Sequence, residues 1–221
     1  MRYKCLVLDH DDTTVNSTPC IHYPAFVQIL EELRPGVQLS QEEFLTVNLT
    51  PGLMTFYKKE LGFTPEEMTR EREIWREYLD DIIPPFFPEM FELIRRQKEE
   101  GGLVCVVSHS FSEYIRRDYA AAGLSEPDMV FGVEMDREKN KPNPWPLEEI
   151  MRVFGCEADD LLVVDDLNAG LEMAHSCGVK FAAAGWGYEN SCIHEFMKKN
   201  ADYFLENIES LSALQFSGVV I

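Results

Sequence analysis

Three aspartates follow the first apolar segment of the chain, and their spacing is the most specific chemical signal in the sequence. Asp9, Asp11 and Asp12 come directly after Leu6–Leu8, whose side chains suit a buried strand. Clustered carboxylates repel one another and weaken a fold unless a cation or hydrogen-bond donors hold them. The pattern therefore indicates a cation site, although the same residues could form an acidic turn that caps a helix, with Asp12 or Thr13 as the N-cap.

Three later segments carry polar residues where a strand or a loop ends. Ser108 and His109 follow one apolar run, Lys141 lies in a proline-rich stretch, and Asp165 and Asp166 end another apolar run. A serine at such a junction usually caps the next helix, and a loop lysine is usually solvated. Two adjacent carboxylates at the end of a buried strand are unusual without a partner, so this pair favours a metal site.

The elements that must position these residues form an α/β pattern. Apolar runs of strand length alternate with amphipathic stretches, which is typical of a Rossmann-like parallel sheet covered on both faces. The predicted strands are Lys4–Asp9, Leu103–Ser108, Met129–Phe131, Leu161–Asp165 and Val179–Ala183. The predicted helices between them are Glu89–Glu100, Ser112–Ala122, Pro146–Phe154 and Ala169–Cys177.

One long excursion interrupts this alternation. Between the first strand and Pro84-Pro85 the sequence has helical periodicity; the predicted helices are Tyr23–Leu33, Gln41–Val47, Leu53–Leu61 and Pro65–Ile82. A strand-to-helix connection usually takes only a few residues. We therefore expect a helical cap inserted at 15–85, with an α/β core formed by 1–14 and 86–221. The end of that core, from Leu205 to Ile221, predicts a short helix and an apolar segment.

The four polar segments are expected to meet at one place. Ligands of an open α/β sheet bind outside the carboxyl ends of its strands. Three of the segments lie at such ends, and the lysine-bearing loop arrives beside them. Separate capping or solvation explanations for all four are less economical than one shared site.

Charge and composition exclude several classes of function. The 221 residues carry a formal net charge of −19, which disfavours nucleic acid and anionic membrane surfaces as partners. No apolar run of about 18 residues is present, so no transmembrane helix is expected. The six scattered cysteines are typical of reduced thiols and predict a cytoplasmic protein. A phosphate substrate would need a bound cation to reverse the local field.

The order of these motifs resembles that of the haloacid dehalogenase (HAD) superfamily. The resemblance rests on Asp9-x-Asp11-x-Thr13, a strand ending in Ser108, Lys141-Pro142, and a strand ending in Asp165-Asp166, and it runs from Lys4 to about Gly187. The helical insertion resembles the type 1 cap of phosphoglycolate phosphatases and their relatives. The resemblance implies a HAD-like core and a phosphoric monoester hydrolase.

The resemblance also implies catalytic roles. Asp9 would be the nucleophile that forms an aspartyl-phosphate, and Asp11 would protonate the leaving oxygen and then activate water. Ser108 would donate a hydrogen bond to the phosphoryl group, and Lys141 would balance charge between that group and Asp9. Thr13 and His109 are expected at the phosphate as well.

The implied cofactor is Mg²⁺, which prefers oxygen ligands. Asp9, the main-chain carbonyl of Asp11, and Asp166 would supply the ligands, with Asp165 in or beside that shell. The sequence departs from the family pattern at Asp12, where relatives mostly have Gly, and at His109, where many have Asn. Asp165 also replaces a usual Gly. The choice between Asp165 and Asp166 stays open.

Asp11 favours phosphate ester chemistry over dehalogenation, because only an ester has a leaving oxygen to protonate. The expected partner is a small phosphorylated metabolite, handled by a monomer or small homo-oligomer. A phosphomutase of the same superfamily and a non-catalytic phosphate-binding or regulatory protein are the alternatives. The cap offers possible substrate contacts, although solvated cations and aromatic packing are the commoner situations. The candidates are His22, the turn Thr50-Pro51-Gly52, Phe56, Tyr57, Lys58, Lys59, Arg70, Arg72, Trp75 and Arg76.

Overall fold

A six-stranded parallel sheet forms the centre of the protein. The computed structural model describes residues 1–217. The strands are β1 (Cys5–Leu8), β2 (Leu103–Val107), β3 (Met129–Phe131), β4 (Leu161–Asp165), β5 (Lys180–Ala184) and β6 (Tyr203–Leu205). Their order across the sheet is β3-β2-β1-β4-β5-β6, and every pairing is parallel. The predicted α/β fold is confirmed. The order reverses between β1 and β4, and ligands of such sheets bind at that point.

A run of helices follows β1. It contains a π-helical turn (Thr18–His22), α1 (Tyr23–Leu33), α2 (Gln41–Leu49), α3 (Leu53–Thr55), a second π-helical turn (Phe56–Glu60) and α4 (Pro65–Asp81). We call these the cap helices. Ser40 and Thr64 start α2 and α4 with capping boxes, in which each side chain accepts a backbone N–H three residues on. The helices lie where the insertion is predicted; the boundaries at 15 and 85 stay a prediction.

Six further helices pack around the sheet. They are α5 (Pro88–Glu99), α6 (Ser112–Ala122), α7 (Trp145–Phe154), α8 (Asn168–Ser176), α9 (Ser191–Asn200) and α10 (Ile208–Phe216). The sequence patterns predict α5–α8 to within a residue or two, and α10 is the predicted terminal helix. They miss β6, because a three-residue edge strand carries little periodic signal, and they also miss α9, although that helix is amphipathic. The predicted apolar end at 218–221 lies outside the described residues.

The sheet is buried on both faces. Cys5, Val7 and Val163 belong to one apolar cluster, while Leu6 and Leu8 belong to the other. Each of these side chains is at most 1% exposed, which explains why the central strands read as continuous apolar runs. The residues that follow β1, β2 and β4 therefore project from a rigid platform. Within residues 1–217, no helix combines the length and the apolar character needed to cross a membrane.

Candidate active site at the carboxyl edge of the sheet

The site starts where three adjacent strands end together. β1 pairs with β2 on one side and with β4 on the other, and Leu8 is in register with both Val106 and Val164. The Asp9 backbone N–H donates to the Val164 carbonyl at 2.8 Å, which fixes the first residue beyond β1 against β4. The sheet register therefore brings the first and last polar segments of the sequence to one edge.

A group of three carboxylates lies at this edge. One oxygen from each of Asp9, Asp165 and Asp166 lies within 4.8 Å of the other two. The three residues are 7%, 1% and 4% exposed, respectively. Lys141, itself 6% exposed, places its Nζ 2.8 Å from Asp9 Oδ1 and 2.6 Å from Asp165 Oδ2. The structure thus brings together four of the residues that the sequence singled out.

The carboxylate group has the chemistry of a divalent cation site. Three carboxylates face one ammonium group, so full ionisation leaves negative charge that Lys141 alone does not balance. Burial raises the pKa of Asp165 to about 6, although Lys141 opposes the shift, and burial together with the charges of Asp165 and Asp9 raises the pKa of Asp166 well above its ordinary value. Hard oxygen donors in this number suit Mg²⁺ with retained waters. The residues present fit the implied ion.

The two adjacent acids have different surroundings. Asp165 Oδ1 accepts the Leu167 backbone N–H at 2.8 Å and Oδ2 accepts Lys141 Nζ at 2.6 Å, so the protein itself engages both oxygens. Asp166 also has both oxygens engaged, but by hydroxyl groups: Oδ2 accepts from Tyr188 at 2.7 Å, and Oδ1 accepts from Thr13 at 3.4 Å. Hydroxyl groups rotate, whereas the main-chain N–H does not. Asp166 is therefore the more available of the two for a cation.

Asp11 contacts the first turn of the cap helices on one side and the segment after β2 on the other. Its Oδ1 lies 2.8 Å from His22 Nε2, and its Oδ2 accepts the Ser110 hydroxyl. Burial by itself would raise the pKa of Asp11, but the His22 charge and hydrogen bond outweigh it and hold that pKa below its usual range. Trp75 lies next to His22, with 5.1 Å between the ring centroids. The side chain of Asp11 thus lies between the carboxylate group and the cap helices.

The remaining predicted site residues lie close to this edge. Ser108 is 2% exposed, and its hydroxyl accepts the Ser110 backbone N–H at 3.2 Å. His109 contacts the loop that carries the lysine, through a 3.0 Å hydrogen bond between Nε2 and the Lys141 carbonyl. The hydroxyl of Thr13 points at Asp166, as described above. Ser108 is the serine at the end of β2 that the sequence analysis expected there.

Most candidate substrate contacts in the cap either pack or pair with other cap residues or lie on the surface. Tyr57 is fully buried and stacks on Phe63 at 4.9 Å, and Phe56 is 7% exposed. Arg70 forms ion pairs with Glu32, Glu73 and Glu77. The remaining cations lie on the surface: Lys58, Lys59, Arg72 and Arg76. Among the aromatic residues proposed as pocket walls, Trp75 is the one that lies against His22.

Two contacts at the site carry no sequence signal of their own. Tyr188 reaches Asp166 from the segment that follows β5, and Ser110 reaches Asp11 from the segment that follows β2. Ser110 lies two residues after the predicted site residue Ser108, and Tyr188 lies outside any motif; the packing of the loops brings both to the acids. A Ser or Tyr in a loop is too common to be assigned a role from sequence alone.

Comparison with known proteins agrees with this geometry. A family model described as "Haloacid dehalogenase-like hydrolase" matches residues 6–184. The pyrophosphatase PpaX of Bacillus cereus is 25% identical over 213 residues, which cover 96% of this chain and 95% of that protein. The phosphoglycolate phosphatase of Aquifex aeolicus is 28% identical over 201 residues, which cover 87% and 91%.

A solved structure shares the fold. The crystal structure of a predicted phosphoglycolate phosphatase from Haemophilus somnus superposes with a TM-score of 0.76. The superposition covers 97% of this chain and 98% of that one, at 20% sequence identity. At this identity the likeness concerns the fold, since site chemistry differs among proteins that share one architecture.

Proposed function

Since the chain belongs to the haloacid dehalogenase-like hydrolase family, we propose that it is a Mg²⁺-dependent phosphatase that hydrolyses a small phosphorylated metabolite. The observation that carries the proposal is the buried contact of Lys141 with both Asp9 and Asp165, with Asp166 completing the carboxylate group. An ammonium group held against a carboxylate can also neutralise a phosphoryl group placed beside that carboxylate.

The proposed reaction has two displacements at phosphorus. An oxygen of Asp9 attacks phosphorus, the bond to the leaving oxygen breaks, and Asp11 gives that oxygen a proton. A water molecule then attacks the aspartyl-phosphate, Asp11 takes its proton, and the bond between phosphorus and Asp9 breaks. Because the pKa of Asp11 is held low, His22, whose Nε2 lies 2.8 Å from Asp11 Oδ1, would hold the proton that Asp11 passes to the leaving oxygen.

The other residues bind and orient. Ser108 and Lys141 supply a hydroxyl and an ammonium group for the phosphoryl oxygens, and both lie at the same carboxyl edge of the sheet as Asp9. Asp9, Asp166 and the main-chain carbonyl of Asp11 would hold Mg²⁺, with Asp165 orienting Lys141. Bound there, the ion would offset the charge that accumulates on the phosphoryl group. The cap helices would exclude water from the leaving group.

Phosphate release tests the proposal. The purified protein is assayed with an aryl phosphate, with and without Mg²⁺, and then with a panel of phosphate esters that includes phosphoglycolate, inorganic pyrophosphate and sugar phosphates. We expect release that depends on Mg²⁺. A folded protein that binds Mg²⁺ yet releases no phosphate from any of these compounds would favour the phosphomutase or the non-catalytic phosphate binder instead.

Replacing the nucleophile gives the most direct prediction. Asp9→Asn is nearly isosteric, so we expect the fold to persist while kcat falls by roughly 10³-fold or more, because an amide cannot form the aspartyl-phosphate. Circular dichroism checks the fold, and phosphate release checks the rate. Asp81→Asn, which changes an exposed carboxylate on α4, serves as the control and should keep the original rate. Substantial turnover by Asp9→Asn would show that another group attacks phosphorus.

A further inference from the structure

Asp12 adopts a backbone conformation that side chains seldom take. Its φ of +54° makes it the single non-glycine residue with positive φ within residues 1–217. Its side chain is not free, because Oδ1 accepts the Thr18 backbone N–H at 3.0 Å and Oδ2 accepts the Thr18 hydroxyl. Asp12 is 5% exposed and does not belong to the group of carboxylates that could hold a metal. Both of its oxygens are therefore committed to one residue.

That residue begins the π-helical turn Thr18–His22, the first cap element. Thr18 and His22 are four residues apart, which places them on the same side of a helical turn. Thr18 contacts Asp12, and His22 contacts Asp11. Asp11 and Asp12, which follow Asp9, are thus in contact with two residues on one side of the turn. The placement of His22 on Asp11 depends on where the turn is held.

The Asp12–Thr18 contact spans the place where the chain leaves the sheet. Between the two residues, Val15 forms a bridge with Phe86, and the Asn16 N–H donates to the Pro85 carbonyl at 2.9 Å. On the side of the core, Gly187 packs closely against the backbone of Asp12. A Cβ added at Gly187 would lie 2.2 Å from the Asp12 carbonyl oxygen. Asp12 is therefore anchored to the core while its side chain holds the first turn of the cap helices.

We infer that Asp12 is a positioning residue that, by gripping Thr18, sets the contact between His22 and Asp11 and so orients the proposed acid and base. We call this contact the Asp12–Thr18 clamp. The inference rests on the proposed function, because it assigns the clamp an effect on proton transfer by Asp11. It separates Asp12 from the neighbouring acids, since it requires no contact between Asp12 and metal or substrate.

Thr18→Val tests the clamp without changing any charge near the carboxylates. It removes the hydroxyl donor and keeps the side-chain shape, so we expect kcat to fall about fivefold to tenfold, the value of one hydrogen bond. Asp12→Gly, which relieves the positive φ, should lower kcat by at least as much. Asp12→Asn should retain most of the rate, because its amide oxygen can still accept the Thr18 N–H and its NH2 group can donate to the Thr18 hydroxyl oxygen. KM for an aryl phosphate and the Mg²⁺ concentration at half-maximal rate should stay unchanged.

A third substitution identifies the route of the effect. If the clamp acts through His22, then Thr18→Val should lower kcat no further in a His22→Ala background. An independent loss in that background would overturn the inference, and so would an unchanged kcat for folded Thr18→Val. A shift in the Mg²⁺ requirement of Asp12→Gly, with kcat unchanged at saturating Mg²⁺, would also overturn it by showing that Asp12 acts on the ion.

Hydrogen exchange separates failure of the clamp from failure of the proposed function. The backbone amides of Thr18 and of Cys20 to Tyr23 should exchange faster in Thr18→Val and Asp12→Gly than in the original protein, whether or not the protein hydrolyses any phosphate ester. Unchanged exchange in both variants would overturn the clamp itself. Absence of phosphate release by the original protein, together with faster exchange in the variants, would overturn the assigned effect on proton transfer and leave the contact established.

Discussion

At the residue scale, the central feature is an imbalance of buried charge. Lys141 lies within 2.8 Å of Asp9 and 2.6 Å of Asp165, and Asp166 lies next to them, with no ion pair of its own to a basic residue within residues 1–217. Buried ionised groups are costly unless they are paired. A bound divalent cation removes this cost, whereas a purely structural role leaves it unexplained.

The two adjacent acids should respond differently to substitution. We predict that Asp166→Asn raises the Mg²⁺ concentration at half-maximal rate by about tenfold or more, since it removes a proposed ligand. Asp165→Asn should mainly lower kcat, because Asp165 holds Lys141 and the Leu167 N–H. Titrating each variant with Mg²⁺ in the phosphate-release assay measures both effects. A large shift in the Mg²⁺ requirement for Asp165→Asn alone would reverse the assignment of the ligand.

At the element scale, the cap helices are joined to the core at more than one place. Asn190, the N-cap of α9, donates through Nδ2 to the Glu42 carbonyl and to the Thr46 hydroxyl, both at 3.1 Å. On another side, Arg117 of α6 donates to the Leu79 carbonyl and, at 3.0 Å, to the Ile82 carbonyl at the end of α4. These contacts join the cap helices to the core on two sides.

Asn190 has two functions that one substitution can separate. Its Oδ1 accepts the Ile193 N–H at 3.0 Å and caps α9, while its Nδ2 holds α2. We predict that Asn190→Asp preserves the helix cap, loses the contact with α2 and raises KM by about threefold to tenfold, because closure over substrate becomes less favourable. Asn207→Asp is the matched control, since Asn207 caps α10 and its Oδ1 accepts the Ser210 N–H. Equal KM values for the two variants would contradict the proposed closure contact.

The middle of α4 contains a buried carboxyl group that the proposed reaction does not use. Glu71 is 2% exposed, and its Oε2 has no hydrogen-bond partner in the part of the chain that the structure describes. Burial raises the pKa of Glu71 from 4.5 to about 7, although Arg72 acts in the opposite direction. Between these pH values the unfolded chain has lost a proton that the folded protein keeps. The free energy of unfolding therefore falls as the pH rises through this range.

Glu71→Gln should remove this dependence on pH. At pH 8 we expect the variant to be more stable than the original protein by up to about 3 kcal/mol, while at pH 4.5 the two should be similar. Urea unfolding at both pH values measures the difference. Glu73→Gln, an exposed neighbour on the same helix, is the control and should change stability little at either pH. A Glu71→Gln variant with the original pH dependence would place the titrating group elsewhere.

At the scale of the whole molecule, the family match confirms the predicted HAD-type family and the prediction of a hydrolase. The net charge of −19 then opposes the approach of an anionic substrate. At 0.1 M ionic strength, dissolved salt screens this repulsion at distances beyond about 10 Å. The site itself must supply the attraction over shorter distances, through Lys141 and the proposed ion.

Salt should therefore accelerate the reaction at low ionic strength. We predict that kcat/KM for an aryl phosphate rises by about twofold or more as KCl increases from about 20 to about 150 mM at saturating Mg²⁺, because long-range repulsion is screened. Parallel assays in which sucrose, an uncharged solute, raises the viscosity control for changes in the rate of diffusion. A fall in kcat/KM with added salt would mean that the local positive field at the site dominates over the net charge.

The sheet and the order of the polar segments along the chain can be predicted from the sequence. Continuous apolar runs such as Leu161–Asp165 identify strands because both faces of the sheet are buried, and the carboxyl ends of parallel strands must share an edge. That constraint is enough to predict that Asp9, Ser108 and Asp165 meet. Short edge elements such as Tyr203–Leu205 lack this signal.

The side-chain contacts at that edge can be identified from the folded structure but not from the sequence. The contacts of Tyr188 with Asp166, of His22 with Asp11 and of Thr18 with Asp12 depend on loop and cap packing. No periodicity encodes such contacts, because a polar loop residue is locally compatible with solvent as well as with a partner far away in the sequence. The sequence places Asp12 beside the proposed nucleophile. The contact of its carboxylate with Thr18 and the close packing of Gly187 against its backbone both follow from the fold.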